Sequence, residues 1–479
     1  MSNPLARIHL DDLASSVAFR FLGLGFAWSW AWTLWGVLSS LEGGNSFGIA
    51  SSPAWIVSTA SCVAALAVFG WAFSTGRLSP NTRWVIVAGL LATGSSALLG
   101  IGGLLGTPAP LPLLTGAAAG IGAALLYLLW TSAYARAPQV RGDVVIPLCA
   151  AVTVLPVLVI SGSIPLASWA FAAALPAISA LMLLLIVKRD IAPDTSEKPT
   201  MTTPIGEIFS ALGIPAAALF ALHGLIGTTS GSASFVGAGS AATFEGVFAI
   251  LGTAAALALA VAALNRPHGG APDYLRWALT GAAIGALLYL QEPEELRLIG
   301  VALFRVTEVL AFIFTFTYAL GRTAHDPRGC IAIIAVLLVA SELGDLAGNL
   351  IGSMSALEKS SSDEFVLVGL FASLCLVTSL LGKPADSART EAPIPVTAPS
   401  DDTEAICDAI ARAYSLAPRQ RDVLVHLAAG RTVARISQAL TMSENTVASY
   451  VKQIYARLGV HSKQELIDFV QCYRQVESL

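Results

Sequence analysis

Six ionisable side chains interrupt the apolar second half of this 479-residue chain: His223, Glu245, Arg305, Glu308, Glu342 and Asp345, with Asn349 close by. Each sits in a run long and apolar enough to cross a membrane, where a charge at the bilayer centre costs about 2.5–3.5 kcal/mol or more. Arg305 and Glu308 are three residues apart, as are Glu342 and Asp345, so each pair shares a helix face. Counting a helical rise of 1.5 Å per residue from the ends of their runs puts Arg305, Glu308, Glu342, Asp345 and His223 in one layer, about 21–25 Å deep. Glu245 falls higher, near the outer mouth. Two readings are open. The layer can bind a ligand or a proton, its negative balance favouring a cationic group and Arg305 equally able to clamp a carboxylate. Alternatively it is an ion-pair network that locks helices together.

The first half offers aromatics instead. AWSWAWTLWG places Trp28, Trp32 and Trp35 on one helical face. They are either a stacking wall opposite the charged layer or bulk that packs helices and meets lipid. GAAAG, Gly116 to Gly120, has the small-residue spacing of close helix packing. No nucleophile–base set, metal-ligand spacing or phosphate loop appears, so the sequence supports neither catalysis nor a cofactor. The six cysteines are scattered, without a Cys-x-x-Cys pair, and read as small buried or lipid-facing side chains.

The elements that must position these groups are membrane spans. The chain is 55% hydrophobic and 12% charged, about half the charge of a soluble domain, and its mean hydropathy is +0.72. Apolar runs long enough to span as helices fall at 17–41, 51–75, 84–106, 111–135, 144–164 and 166–187. Six more follow at 207–230, 241–264, 274–291, 295–321, 329–353 and 364–382. The first run is too long for the core of a cleaved signal peptide. Among the Lys and Arg of the connections, only Arg297 and Lys359 fall in one of the two alternating sets. The positive-inside rule therefore puts both termini on the cytoplasmic side of a bacterial cell membrane.

Spans three and nine open with RWVIVAGLLATGSSALL and RWALTGAAIGALLYL, and a polar stretch, KRDIAPDTSEKPTMTTP, divides the runs six and six. This organisation resembles the major facilitator superfamily of transporters over about residues 15–385. The resemblance implies two six-helix halves around a midplane cavity. In GRLSPNTR, the loop between spans two and three, Gly76 and Leu78 match that superfamily's signature, but Pro80 stands where an acid is usual. The departure weakens the case for a working transport cycle.

Residues 384–403 are rich in Pro and Ala and read as a linker. From Glu404 the pattern becomes that of a small helical domain, with nine Lys and Arg against seven Asp and Glu. Ser443 can cap a helix over 444–458, with Val447, Val451, Ile454, Tyr455 and Leu458 as its apolar stripe. LAPRQRDVLVHLAAGRTVARISQALTMSENTVASYVKQIYARLGVHSKQELI resembles the helix-turn-helix domain of LuxR-type regulators. The matches run in register from Leu416, Pro418 and Arg419 through Gly430 and Thr446 to Gly459 and Ser462. The resemblance implies that helix 444–458 enters the major groove of double-stranded DNA. The candidate contacts are Ser443, Thr446, Val447, Ser449, Tyr450, Lys452, Gln453, His461 and Lys463. It also implies a homodimer through the final helix, near Gln464 to Val470. Ala448 stands where a lysine is frequent, so no operator sequence carries over. The open alternative is a helix-turn-helix kept only to contact protein.

The expected architecture is thus all-α. About twelve transmembrane helices in two six-helix halves (1–383) precede a linker (384–403) and a tetrahelical LuxR-type domain (404–479). The function this implies is a one-component transcription regulator sensing a small molecule in the bilayer. The alternative is a secondary transporter with a regulatory DNA-binding tail.

Overall fold

A computed structural model describes residues 16–37, 53–105, 110–137, 140–153, 165–189, 205–232, 250–262, 274–291, 294–323, 326–358, 368–369, 372–376, 401–428, 436–437, 440, 442, 444–458, 460, 466, 469–470 and 473. Among them there is helix and no strand. The chain divides into two compact units, Met1–Asp386 and Ser387–Leu479.

In the membrane unit the helices are α1 (Ser16–Phe21), α2 (Gly23–Trp32, continuing as a π-helical turn, Thr33–Val37), α3 (Pro53–Ser74), α4 (Thr82–Leu105), α5 (Pro110–Ala135), α6 (Gly142–Val152) and α7 (Pro165–Arg189). Then come α8 (Ile205–Ser232), α9 (Ile250–Ala262), α10 (Tyr274–Tyr289), α11 (Glu294–Arg322) and α12 (Pro327–Glu358). Six of these contain stretches long and apolar enough to cross a membrane: α3, α4, α5, α7, α11 and α12. Every predicted span contains described helix, although parts of spans one, two, three, five, eight and twelve lie outside the described residues. In hydrocarbon only a backbone that bonds to itself is stable, so apolar runs of this length become helices whatever their β propensity. Their outer faces stay apolar: Leu90, Leu114 and Leu287 are each more than 60% exposed.

Two parallel helix pairs are packed on glycine. A Cβ at Gly116 or Gly120 of α5 would collide with the carbonyl oxygens of Ala54 and Ser58 in α3. This is the contact that GAAAG predicts. Ser61 of α3 reinforces it by donating to the Ala117 carbonyl at 3.1 Å. The second pair is α8 and α12, where Gly344, Gly348 and Gly352 face the carbonyls of Phe220, Gly224 and Thr228. Where neighbouring lipid is as apolar as the helices, such backbone proximity supplies the dispersion contact that holds helices together. Several polar groups between helices are bonded. Trp30 Nε1 donates to Ser96 at 2.7 Å and Trp130 Nε1 to Ser179 at 2.9 Å. Tyr134 gives its hydroxyl proton to the Phe21 carbonyl at 2.6 Å.

At the turn after α3, Gly76 has φ +75 and the Arg328 guanidinium, from the start of α12, lies against it. The position needs glycine for both conformation and space. Asp326 accepts from the backbone N–H groups of Arg328 and Gly329 at 3.1 and 2.9 Å, capping α12.

The second unit contains α13 (Asp401–Ala413), α14 (Pro418–Ala428) and α15 (Glu444–Leu458). Residues 436–437, 440, 466, 469–470 and 473 are also helical. α13 takes up the last three residues of the predicted linker, 401–403. Asp401 and Asp402 suit the positive end of a helix better than a coil. The interior is a continuous apolar cluster including Ile410, Leu424, Ile436, Ile454 and Leu466.

Candidate ligand cavity and DNA-reading helix

A cavity of about 240 Å³ opens inside the membrane unit. Its first-half wall comes from α2, α3 and α5, with Trp28, Trp32, Trp55 and Tyr127. Its second-half wall comes from α8, α11 and α12, with His223, Glu308, Glu342, Asp345 and Asn349. Four members of the layer counted from the sequence, His223, Glu308, Glu342 and Asp345, thus line one cavity together with Trp28 and Trp32. Glu245 lies outside the described residues. Arg305 is in α11, one turn before Glu308, but its side chain is also outside them.

Trp28 stacks flat on Phe312 of α11, with ring centroids 3.7 Å apart and planes 5° from parallel. It also stacks on Trp32 at 6.3 Å. This aromatic ladder crosses from one half to the other. Sequence reasoning missed Phe312, because nothing along the chain singles it out from the other phenylalanines of α11.

The polar groups are held in defined orientations. His223 Nδ1 lies 2.9 Å from the Leu219 carbonyl, which can only accept, so Nδ1 carries the proton of that bond. Asn349 donates through Nδ2 to the Asp345 carbonyl and carboxylate, at 2.9 and 3.0 Å. That fixes the amide. Its Oδ1 is buried and has no hydrogen-bond partner among the described residues. A buried acceptor left in that state is costly unless something else donates to it. Cys62 also lines the cavity.

In the second unit, α15 presents Thr446, Ser449, Lys452 and Gln453 to solvent. Tyr450 is half-buried and Val447 is fully buried in the apolar cluster, seating the helix. Ser443, His461 and Lys463 lie outside the described residues. Gln453 is held in place: Gln420 of α14 donates to its Oε1 at 2.6 Å, and its Nε2 is 3.5 Å from Ser449. Gln420 also accepts from the Ala417 N–H at 2.9 Å. Sequence reasoning overlooked Gln420, although its position three residues after Ala417 has the spacing of a helix-start side-chain cap. Arg457, near the end of α15, donates to the Ser415 carbonyl in the turn after α13. Ser415 adopts φ 51 there. Arg421 bridges α14 to α13 through Asp408 at 2.5 Å. The bond from Arg421 holds the Asp408 carboxyl below its ordinary range and raises the guanidinium in return.

Residues 414–470 match the family described as bacterial regulatory proteins, luxR family. A putative transcriptional regulator of Pseudomonas aeruginosa is 44% identical over 57 residues, 12% of this chain and 28% of that protein. The probable HTH-type transcriptional regulator GfsR of Streptomyces halstedii is 34% identical over 53 residues, 11% of this chain and 22% of its own length. The chain thus spans about a quarter of the length of the curated relatives it matches. Among solved structures, the human organic anion transporter MFSD10 (TETRAN) aligns with a TM-score of 0.55 at 16% identity, over 76% of this chain and 98% of its own. A bacterial homologue of the iron transporter ferroportin, in an outward-facing state, aligns with a TM-score of 0.53 at 14% identity, over 76% and 97%. Residues 414–470 are therefore a LuxR-type helix-turn-helix domain of the kind found in transcriptional regulators. The unit Met1–Asp386 is a multi-pass membrane domain with the fold of the major facilitator superfamily. These families are regulators and transporters rather than enzymes.

Proposed function

We propose that this protein is a membrane-embedded one-component transcription regulator. Its membrane domain binds a small molecule and its LuxR-type domain binds promoter DNA. Both termini lie on the cytoplasmic side of a bacterial cell membrane, where the charge bias of the connections puts them. The observation that carries the reading is the cavity. A chain with a DNA-reading domain also encloses a chamber whose acids, histidine and tryptophans come from both halves. Binding there shifts the balance between two arrangements of the halves only if the ligand favours one of them. The linker, 384–400 by the onset of α13, passes the difference to the DNA-binding unit, which acts as a homodimer.

On DNA, α15 lies in the major groove, with Ser449, Lys452 and Gln453 facing bases or phosphates and Thr446 facing phosphate. Footprinting on the neighbouring promoters tests the output. Lys452→Ala weakens binding about equally on all sequences and lowers the salt slope by about one. Absence of any protected sequence by a dimerised 387–479 fragment would refute the reading.

The fold itself favours a second reading, a secondary transporter with a regulatory tail. Reconstituted vesicles separate the two: accumulation driven by an ion gradient marks a transporter, and saturable binding without flux marks a sensor. Pro80 in the GRLSPNTR loop favours the sensor.

A further inference from the structure

The second-half wall of the cavity has a chemical bias. Thr315 gives its hydroxyl proton to the Ala311 carbonyl at 2.8 Å, and Ser341 gives its own to Leu337 at 3.1 Å. Asn349 donates to Asp345, and His223 Nδ1 donates to Leu219. Each of these donors is engaged within its own helix. What the wall turns toward the cavity is therefore acceptor chemistry. It consists of the carboxylates of Glu308, Glu342 and Asp345 and the second ring nitrogen of His223. The three carboxylates outnumber Arg305 even when that residue is counted at the wall.

The first half supplies the aromatic rings of Trp32, Trp55 and Tyr127, beside Trp28, one face of which is covered by Phe312. An indole face attracts a cation, more strongly where water is excluded. A wall of acceptors together with a wall of aromatic rings fits a ligand with N–H donors, a positive charge and a flat or apolar body. An anion would meet three acids, and a neutral apolar molecule would gain nothing from them. Glu342 and Asn349 lie two turns apart on α12, about 10 Å along the axis. A cavity of about 240 Å³ holds a ligand of modest size.

We propose that the cavity takes a small organic cation, an ammonium group on an aromatic or apolar body. This rests on the ligand-binding reading above and names its chemical class.

Three probes of similar size and one ring test the class by calorimetry on the full chain in lipid nanodiscs: phenethylamine, 2-phenylethanol and phenylacetate. Phenethylamine should bind at least tenfold tighter than the alcohol and tighter still than the acid. Equal or better binding of either competitor overturns the proposal, and so does failure of all three to bind at millimolar concentration. Glu342→Gln should weaken phenethylamine at least tenfold without changing the alcohol. An unchanged amine affinity in a folded variant overturns it. If that variant does not fold, competition on the unmodified chain decides. Tetramethylammonium should displace phenethylamine, and a failure to do so at tenfold excess counts against the cation. A promoter reporter keeps the two readings apart. Binding of the amine without any reporter change supports the ligand class while refuting the sensor. A reporter that answers to phenylacetate and not to phenethylamine does the reverse.

Discussion

The membrane unit and the DNA-reading unit are both all-helical, yet they hold together by opposite means. In the DNA-reading unit the apolar side chains lie inside, as with Leu424 and Ile454, and the polar ones face out, as with Ser449 and Lys452. In the membrane unit large apolar side chains face outward, and the interior seams are made by glycine and by bonded polar groups such as the Trp130–Ser179 pair. The difference follows from the solvent. Water drives leucine inward, whereas lipid is indifferent to it and leaves close backbone contact and hydrogen bonds to choose the partners. Substitutions should therefore rank differently in the two units.

The largest effect should come from a seam glycine. Gly348→Leu in α12 sets a branched side chain against the Gly224 carbonyl, which belongs to a helix backbone and cannot rotate away. Overpacking costs about 1–3 kcal/mol where side chains can yield. Here the loss should be at the top of that range or beyond, and the purified chain should aggregate or melt many degrees lower. Gly94→Leu is the control, because a Cβ there meets nothing within 4 Å. Equal melting of the two variants in detergent would undo the contrast between seam and surface. In the DNA-reading unit the sensitive position is instead a large apolar residue. Leu424→Ala should cost about 2–5 kcal/mol, read from urea unfolding of the 387–479 fragment. A loss under 1 kcal/mol would mean that the apolar cluster does not carry this unit.

An intermediate effect is expected for a buried bond in the membrane unit. Trp130→Phe keeps the aromatic bulk beside Phe21 but leaves Ser179 without its indole donor. The loss should be about 1 kcal/mol. Trp130→Phe with Ser179→Ala should recover part of it, since no polar group is then stranded. A double variant less stable than Trp130→Phe alone would show that packing, not the bond, decides.

The same contrast explains what was legible in the sequence. Charges in hydrocarbon are conspicuous because they are costly, so His223, Glu308, Glu342 and Asp345 stood out and proved to line one cavity. Span lengths and the GAAAG seam were visible for similar reasons. The larger seam was overlooked although its signal was present: Gly344, Gly348 and Gly352 recur every four residues, one helix face. Phe312 and Gln420 were harder. The first matters only because α11 brings it onto Trp28 from a remote part of the chain, and the second because α14 brings it to Gln453. Such pairings are made by tertiary structure, and no local period encodes them. Ala, Gly and Leu recur so often in these spans that a partner such as Ser96 for Trp30 has no sequence mark at all.

The smallest effect belongs to the surface of the DNA-reading unit. Asp408 and Arg421 are bonded at 2.5 Å, but the Asp408 side chain is 49% exposed, so water screens most of their attraction. An exposed pair of this kind contributes about 0–1 kcal/mol. Because the Arg421 hydrogen bond lowers the Asp408 pKa in the folded state, its contribution is present above the ordinary aspartate range, near about pH 4. It is lost as the pH falls through the lowered value. Asp408→Asn should therefore destabilise the 387–479 fragment slightly at pH 7, and the difference should shrink as the pH falls below about 4. Salt at about 1 M should shrink even the neutral-pH difference, since the screening length falls to about 3 Å. A pH-independent loss above 1 kcal/mol would mean that Asp408 acts by packing α13 onto α14. The polar exterior of this unit would then share the structural duty that the comparison gives to its interior.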